Sequence, residues 1–230
     1  MIKNISFIVP AKYEYENLKK LIPYLIKFSE NKNYLYQIIV VQGVDTDIDT
    51  NLLCKKYNLE IINRKHETFK DALILGIEKS EYETLVTLDA DLSHNIGDLQ
   101  NGLEIFSKED CDLILFSRHM HDSSFKERYL NFIVSKITNF FLRIISKIKI
   151  NDYTNNFRIY KKSLFEHVEF NSTHFEILFE IIYRFNRLND NLKIVEIPTI
   201  HQKREFGKSK KRHFYYLFKM MNLLIKLNRE

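Results

Sequence analysis

Through the first half of the chain, short apolar runs that end in polar or turn-forming residues alternate with stretches whose apolar positions recur every three or four residues. Residues 5–9 form the first run, stopped by Pro10, and Leu18, Leu21, Ile22, Leu25 and Ile26 then fall at helical spacing. The pattern returns as strands over 38–41, 60–62, 84–88 and 113–116, with helices over 48–57, 70–79 and 96–106. Alternation of this kind predicts an α/β fold with a mostly parallel central sheet flanked by helices on both faces. Such sheets bind ligands outside the carboxyl ends of their strands, so the residues just after each strand are where chemistry is to be sought.

The second half changes character. Residues 124–149 predict one long amphipathic helix, in which Phe132, Ile133, Ile137, Phe140, Phe141, Ile144 and Ile145 alternate with Arg128, Lys136, Arg143 and Lys147. Residues 157–160 and 194–197 read as strands separated by a helix over 175–188, and 213–227 form a closing basic, aromatic-rich amphipathic segment. The apolar stripe of either basic helix suits two settings, a protein core or the interface of a membrane. Lys or Arg interrupts every long hydrophobic stretch here, so no run reaches the roughly 18 to 20 residues needed to cross a bilayer.

With 230 residues, 45% of them hydrophobic, the chain is long enough for one sizeable core. That fits a domain over 1–212, with 213–230 either part of it or a membrane-surface extension. Cys54 and Cys111 are the only cysteines and no signal peptide is recognisable, which predicts a reducing, cytoplasmic setting. The formal charge is +5, but residues 203–212 hold six Lys and Arg beside one Glu, a concentration that suits a polyanionic partner. No recognised binding motif surrounds that run, so nucleic acid is not the expected partner.

Asp89-Ala90-Asp91 directly follows the strand over 84–88, placing two carboxylates at the sheet's carboxyl edge. Mg²⁺ and Mn²⁺ favour hard oxygen ligands, and Mg²⁺ commonly takes one or two carboxylates while phosphate oxygens and water complete its octahedron. An Asp-x-Asp pair beside a diphosphate is therefore suited to a metal that stabilises charge on a departing nucleoside diphosphate. The same tripeptide also serves as a solvated turn or a helix cap, and by itself does not choose between these roles.

The longer run Asp89-Ala90-Asp91-Leu92-Ser93-His94, with Val9-Pro10-Ala11 and Glu14-Tyr15-Glu16-Asn17-Leu18 after the first strand, resembles glycosyltransferase family 2, and within it the dolichyl-phosphate mannose synthase branch. Ser117-Arg118, Asn156-Phe157-Arg158-Ile159-Tyr160, Phe175-Glu176-Ile177, Ile194-Val195-Glu196-Ile197-Pro198 and Arg204-Glu205-Phe206-Gly207-Lys208-Ser209-Lys210 follow in the family's order, so the resemblance covers residues 5–210. It implies a GT-A, Rossmann-like nucleotide-diphospho-sugar transferase. The activity implied is an inverting, metal-dependent transfer of a hexose from a donor of the GDP-mannose or UDP-hexose type. The acceptor implied is a polyprenyl phosphate, dolichyl or undecaprenyl, reached from the cytoplasmic face of a membrane to which the protein binds peripherally.

The same resemblance distributes roles. Pro10, Ala11, Glu14, Asp89, Asp91 and Ser209 become donor contacts, with Asp89 and Asp91 also the Mg²⁺ or Mn²⁺ ligands and Asp91 the more direct one. Arg204, Ser209 and Lys210 match a loop that closes over phosphates, and Ser117, Arg118 and Arg128 fall near an acceptor phosphate. Asp91, Arg118, Arg204 and Lys210 would then act in catalysis. Arg offers a planar fork to phosphate oxygens and Lys a mobile point charge.

Two departures bear on this reading. The family commonly has Asp-Asp-Gly-Ser after the second strand, where this chain has Gln42-Gly43-Val44-Asp45-Thr46-Asp47. Gln42 can hydrogen-bond a base, or the base-reading function is lost and Asp47 only caps the next helix. The family's Tyr-Asn is replaced by Lys12-Tyr13, where Tyr13 either stacks on a base or packs in the interior. The acceptor is open as well. A phosphate monoester is already anionic, whereas a glycan hydroxyl needs a general base, and the resemblance puts Glu176 where other family 2 enzymes carry an acidic one. Alternatively, Glu176 and Glu180 share one exposed helical face. A relative that binds nucleotide sugar without catalysis is the third possibility.

Overall fold

The computed structural model describes residues 2–43, 47–63, 68–126 and 129–206, together with 219, 220, 222, 223, 226 and 227. The elements run β1 (Asn4–Pro10), α1 (Tyr15–Asn31), β2 (Leu35–Gln42), α2 (Ile48–Lys56), β3 (Glu60–Asn63), α3 (Phe69–Lys79), β4 (Thr84–Thr87), α4 (Leu99–Lys108), β5 (Leu113–Ser117), β6 (Ser124–Phe125), α5 (Tyr129–Ser146), β7 (Arg158–Lys161), α6 (Ile177–Leu188), β8 (Ile194–Pro198) and β9 (Ile200–His201). Among the described residues, seven strands form one sheet in the order β3-β2-β1-β4-β7-β5-β8. Its pairs are parallel except where β7 lies antiparallel between β4 and β5.

Period-two alternation along β1 distributes side chains between two layers. Phe7 and Val9 pack with Leu18, Leu21 and Leu25 of α1 and with Leu99 and Leu103 of α4, while Ile8 packs with Leu73 and Ile77 of α3 on the opposite face. Close packing demands glycine where α4 crosses the sheet: a Cβ at Gly102 would stand 2.5 Å from the Phe116 ring. The resulting sheet, covered on both faces, is the α/β architecture predicted from the sequence.

The predicted helix over 124–149 is corrected at both ends. Residues 124 and 125 instead form β6, which pairs in parallel with β9 through the partners Ser124↔Ile200 and Phe125↔His201. This long-range pairing overrides local helical preference. At the other end the helix stops at Ser146, and Lys147 takes a left-handed φ of 61°. Within α5, Thr138, Asn139 and Leu142 are buried, whereas Phe140, Phe141 and Ile144 are 60%, 48% and 56% exposed. The polar side is turned inward because the following loop supplies partners for it: Asn139 Oδ1 accepts from Tyr153 N at 2.8 Å. Packing in the core is therefore excluded for these three apolar residues.

Most of the closing segment 213–230 lies outside the described residues. Of the rest, Met220, Leu223 and Leu227 are buried in the same cluster as α6, and Arg187 Nη1 donates to Leu227 O at 3.0 Å.

Candidate active site

The site is built at the carboxyl ends of β1 and β4. Pro10 ends β1 and Ala11 N extends the ladder to Val41 O at 2.9 Å. Tyr13 then adopts a left-handed φ of 57° and is 58% exposed, so the expectation that it packs in the interior is corrected. The turn brings Glu14 back under the strand end, where it is buried and its Oε2 accepts from Asn17 Nδ2 at 2.6 Å.

After β4 the chain turns sharply at Leu92, whose φ is 61°. Asp91 points inward, and its Oδ1 accepts from Ser93 N at 3.0 Å and Ser93 Oγ at 2.6 Å. Asp89 is held from the neighbouring antiparallel strand's lead-in: Asn156 Nδ2 donates to its Oδ1 at 3.0 Å. Its Oδ2 lies 3.4 Å from Nε2 of His94, a buried ring stacked on Phe157.

Arg204 joins the two strand ends. Its Nη1 donates to Glu14 Oε1 at 3.1 Å, and its Nε and Nη2 donate to Asp91 Oδ2 at 3.1 and 2.8 Å. Two anchors deliver it across the intervening sequence: Gln202 N donates to Ser93 O at 2.7 Å, and His201 bridges His94. Burial works against the guanidinium's charge, but Asp91 and Glu14 outweigh it and raise its pKa above the ordinary arginine value.

The other sequence-derived candidates are placed differently. Gln42 Oε1 accepts from Asp47 N at 3.0 Å and its Nε2 donates to Asn51 Oδ1 at 3.2 Å, so it braces the start of α2. Asp47 caps that helix, accepting from Asp49 N at 3.2 Å. Ser117 is buried at the end of β5. Arg118 turns inward onto Asp152, with Nε to Oδ2 at 2.7 Å and Nη2 to Oδ1 at 2.9 Å. Burial alone would raise the Asp152 pKa; Arg118 overcomes it and holds the carboxyl well below the usual range. Asp45, Arg128, Ser209 and Lys210 lie outside the described residues.

Glu176 and Glu180 are not on an exposed face, which corrects that expectation. Glu180 is fully buried, accepting from Asn171 N and Ser172 N at 2.8 Å each, from Ser172 Oγ at 2.6 Å and from Arg184 Nε at 2.7 Å. Glu176 is buried beside it, with Oε1 accepting from Thr173 N and Thr173 Oγ1 at 3.1 Å. The loop before α6 folds over the helix and covers both carboxylates. Glu176 also lines a cavity of about 210 Å³ with Thr173, Lys219, Asn222 and Lys226, and neither Asp89 nor Asp91 contributes to that lining.

Sequence reasoning gave no role to His94, Asp152 or Asn156. His94 and Asn156 stood inside quoted motifs, but their approach to Asp89 depends on long-range packing. Asp152 sits in the polar run Asn151-Asp152-Tyr153-Thr154-Asn155-Asn156, whose turn-forming composition was the available signal.

The residues fit a hard divalent cation. Asp89 and Asp91 offer carboxylate oxygens at one strand end, and a guanidinium already rests on Asp91 as a cationic stand-in. Among the described residues no group of three or more His, Cys, Asp and Glu side chains could hold a metal. A cation held by this pair would take its further ligands from outside it, as Mg²⁺ commonly does from phosphate oxygens and water.

Sheet, strand-end carboxylates and order of motifs together define a nucleotide-sugar transferase. Residues 6–169 match the family described as Glycosyl transferase family 2, and the chain belongs to that family. It is 29% identical over 231 residues to the dolichol-phosphate mannosyltransferase of Pyrococcus furiosus, covering 94% of this chain and 64% of that one. It is 25% identical over 236 residues to the undecaprenyl-phosphate 4-deoxy-4-formamido-L-arabinose transferase of Sodalis glossinidius, covering 98% and 67%. The chain thus spans about two thirds of the length of these relatives, and its likeness to them agrees with the dolichyl-phosphate mannose synthase-like branch.

Among solved structures, glucosyl-3-phosphoglycerate synthase from Mycobacterium tuberculosis, in complex with Mn²⁺, UDP and phosphoglyceric acid, matches with a TM-score of 0.68 at 13% identity, covering 97% of this chain and 76% of that one. Mannosyl-3-phosphoglycerate synthase from Rubrobacter xylanophilus matches with a TM-score of 0.72 at 11% identity, covering 99% and 74%. These likenesses establish the GT-A fold.

Proposed function

We propose that this glycosyltransferase moves a hexose, with inversion, from a nucleotide diphosphate sugar of the GDP-mannose or UDP-hexose type to a polyprenyl phosphate. The observation that carries the reading is the meeting of Glu14, Asp91 and Arg204 at the ends of β1 and β4, where a GT-A sheet binds its ligand. Asp89 and Asp91 would hold Mg²⁺ or Mn²⁺, which when bound neutralises charge developing on the leaving nucleoside diphosphate. Pro10, Ala11 and Glu14 line the donor side, with Gln42 and Ser209 as further donor candidates, and Arg204 and Lys210 supply positive charge to the diphosphate. The acceptor-side candidates are Ser117, Arg118 and Arg128. Arg118 already balances Asp152, so Arg128 is the residue to vary first.

An anionic acceptor phosphate attacks the anomeric carbon without a general base. The relatives whose names specify undecaprenyl phosphate and dolichol phosphate support this acceptor. No helix among the described residues is long and apolar enough to cross a membrane. Contact with the lipid would instead come through α5, whose exposed Phe140, Phe141 and Ile144 lie among exposed Lys136, Arg143 and Lys147. Labelled GDP-mannose and UDP-glucose, each offered with undecaprenyl phosphate and Mn²⁺, test the proposal. Label in the lipid fraction, absent with Asp91→Ala, is expected; active donor turnover with no labelled lipid would contradict the acceptor.

One observation favours a second reading. Among the described residues Glu176 Oε2 is buried with no hydrogen-bond partner beside the cavity described above, and Lys219 Nζ lies 4.0 Å from its Oε1. An acceptor hydroxyl would satisfy it, making Glu176 the base for glycan elongation.

A further inference from the structure

Asp91 has its hydrogen-bonding capacity filled. Ser93 occupies Oδ1 through two bonds, and Arg204 occupies Oδ2 through two more. A cation that takes a carboxylate oxygen of Asp91 must displace one of these partners. Ser93 is two residues away and fixed by the turn at Leu92, so it is the harder to move. Arg204 is held from further off. Its segment is tied to the β4 turn by the bond from Gln202 N to Ser93 O and, beyond Arg204, to the surface of α1. There Lys20 pairs with Glu205 and lies 4.9 Å from the centroid of the Phe206 ring. These outer contacts are exposed, and exposed ion pairs are individually weak.

Electrostatics sets what can replace the guanidinium. Glu14, Asp91 and Asp89 all act on Arg204. A divalent ion arriving alone would meet that positive charge on the same carboxylate. A diphosphate changes the balance, because it offers Arg204 a new set of paired anionic oxygens and supplies oxygen ligands to the metal.

We infer that Arg204 guards the carboxylate pair: its guanidinium excludes a divalent cation from Asp91 until a nucleoside diphosphate draws it away, so that metal and donor bind as a unit. This rests on the donor-site reading above and adds an order of events to it. The metal-only state is disfavoured, which couples the cation to the nucleotide and limits non-productive metal occupancy. Lys20 acts at a distance as the outer anchor, holding Glu205 and Phe206 so that Arg204 stays over Glu14 and Asp91.

The test is Mn²⁺ binding to the full chain, followed by electron paramagnetic resonance of the free ion, without nucleotide and with saturating UDP or GDP. Wild type should bind Mn²⁺ weakly alone and far more tightly with one nucleotide. Arg204→Ala should bind Mn²⁺ alone about tenfold more tightly than wild type, the gain expected from removing a latch closed about nine times in ten. The added effect of nucleotide should shrink accordingly. Lys20→Ala changes neither the carboxylates nor Arg204 itself and sits on an exposed helix face, so it should fold and, by loosening the hold on Arg204, show a smaller gain in the same direction. Equal Mn²⁺ affinity for wild type and both variants without nucleotide, alongside retained nucleotide-dependent binding, would overturn the guard and leave the donor site standing. Failure of wild type to bind Mn²⁺ with either nucleotide would remove the donor-site reading itself.

Discussion

Arg118 grips Asp152 with both arms of its guanidinium and with its own backbone N–H, which donates to Asp152 Oδ2 at 3.1 Å. The pair joins the end of β5 to the loop that leads into β7. Asp152 also accepts from Thr154 N at 3.1 Å and Asn155 N at 3.2 Å, which folds that loop around the carboxylate. Removing one partner of a buried pair leaves an uncompensated charge. Asp152→Ala should cost about 3–5 kcal/mol in urea unfolding, and a double-mutant cycle with Arg118→Ala should show strong coupling. A loss below about 1 kcal/mol would mean the pair opens readily, leaving Arg118 available to a phosphate.

The same region sets the response to acid. Burial lowers the His119 pKa from 6.5 to about 4, so the native state takes up its proton later than the unfolded chain does. Its contribution is present above pH 6.5 and is lost as pH falls toward about 4. Asp152, with its depressed carboxyl pKa, contributes above the unfolded value of about 3.9 and loses that contribution at lower pH. Unfolding stability should therefore decline in two windows. His119→Gln should flatten the upper one and leave the lower; a single acid transition unchanged by that variant would contradict the assignment.

Glu176 and Glu180 separate structure from chemistry. Glu180 satisfies two backbone N–H groups and Arg184, so Glu180→Ala should destabilise the fold by about 3–5 kcal/mol. Glu176→Gln should fold. With a polyprenyl phosphate acceptor its turnover should stay within about threefold of wild type, whereas loss of a general base would remove about 10²-fold or more. Turnover measured on the lipid and on a glycan acceptor distinguishes the two.

The apolar face of α5 offers a prediction independent of catalysis. Replacing Phe140, Phe141 and Ile144 with Ser should leave folding nearly unaffected, within about 0.5 kcal/mol each, because the residues are exposed. Co-sedimentation with vesicles containing phosphatidylglycerol should fall sharply in the triple variant and, for wild type, weaken as salt rises. Undiminished co-sedimentation would move the lipid contact elsewhere.

The parts legible in the sequence were those with a local signature. Alternating strands and helices announced the sheet, and Asp89-Ala90-Asp91 after the strand over 84–88 marked its edge. Direction and order were less accessible: the apolar run at 157–160 reads as a strand whichever way it enters, and its antiparallel place between β4 and β5 is a tertiary result. The helix expected over 124–149 was longer than the one formed because pairing between Ser124 and Ile200 has no local trace. The role of Asp152 is hidden in the sequence for the same reason, since it lies 34 residues from Arg118. Glu176 and Glu180 have helical spacing, but their burial comes from the loop over 171–173, which no periodicity reveals.

The carboxylates after β4 are proposed to hold a nucleotide diphosphate sugar together with a divalent cation. Calorimetric titration of the chain with GDP-mannose and UDP-glucose, with and without Mn²⁺, tests it most directly when wild type is compared with Asp91→Asn. One donor should bind in a Mn²⁺-dependent manner, and the variant should lose at least about tenfold in affinity, or about 1.4 kcal/mol. Binding of neither donor, or binding indifferent to both Mn²⁺ and Asp91, would contradict the account.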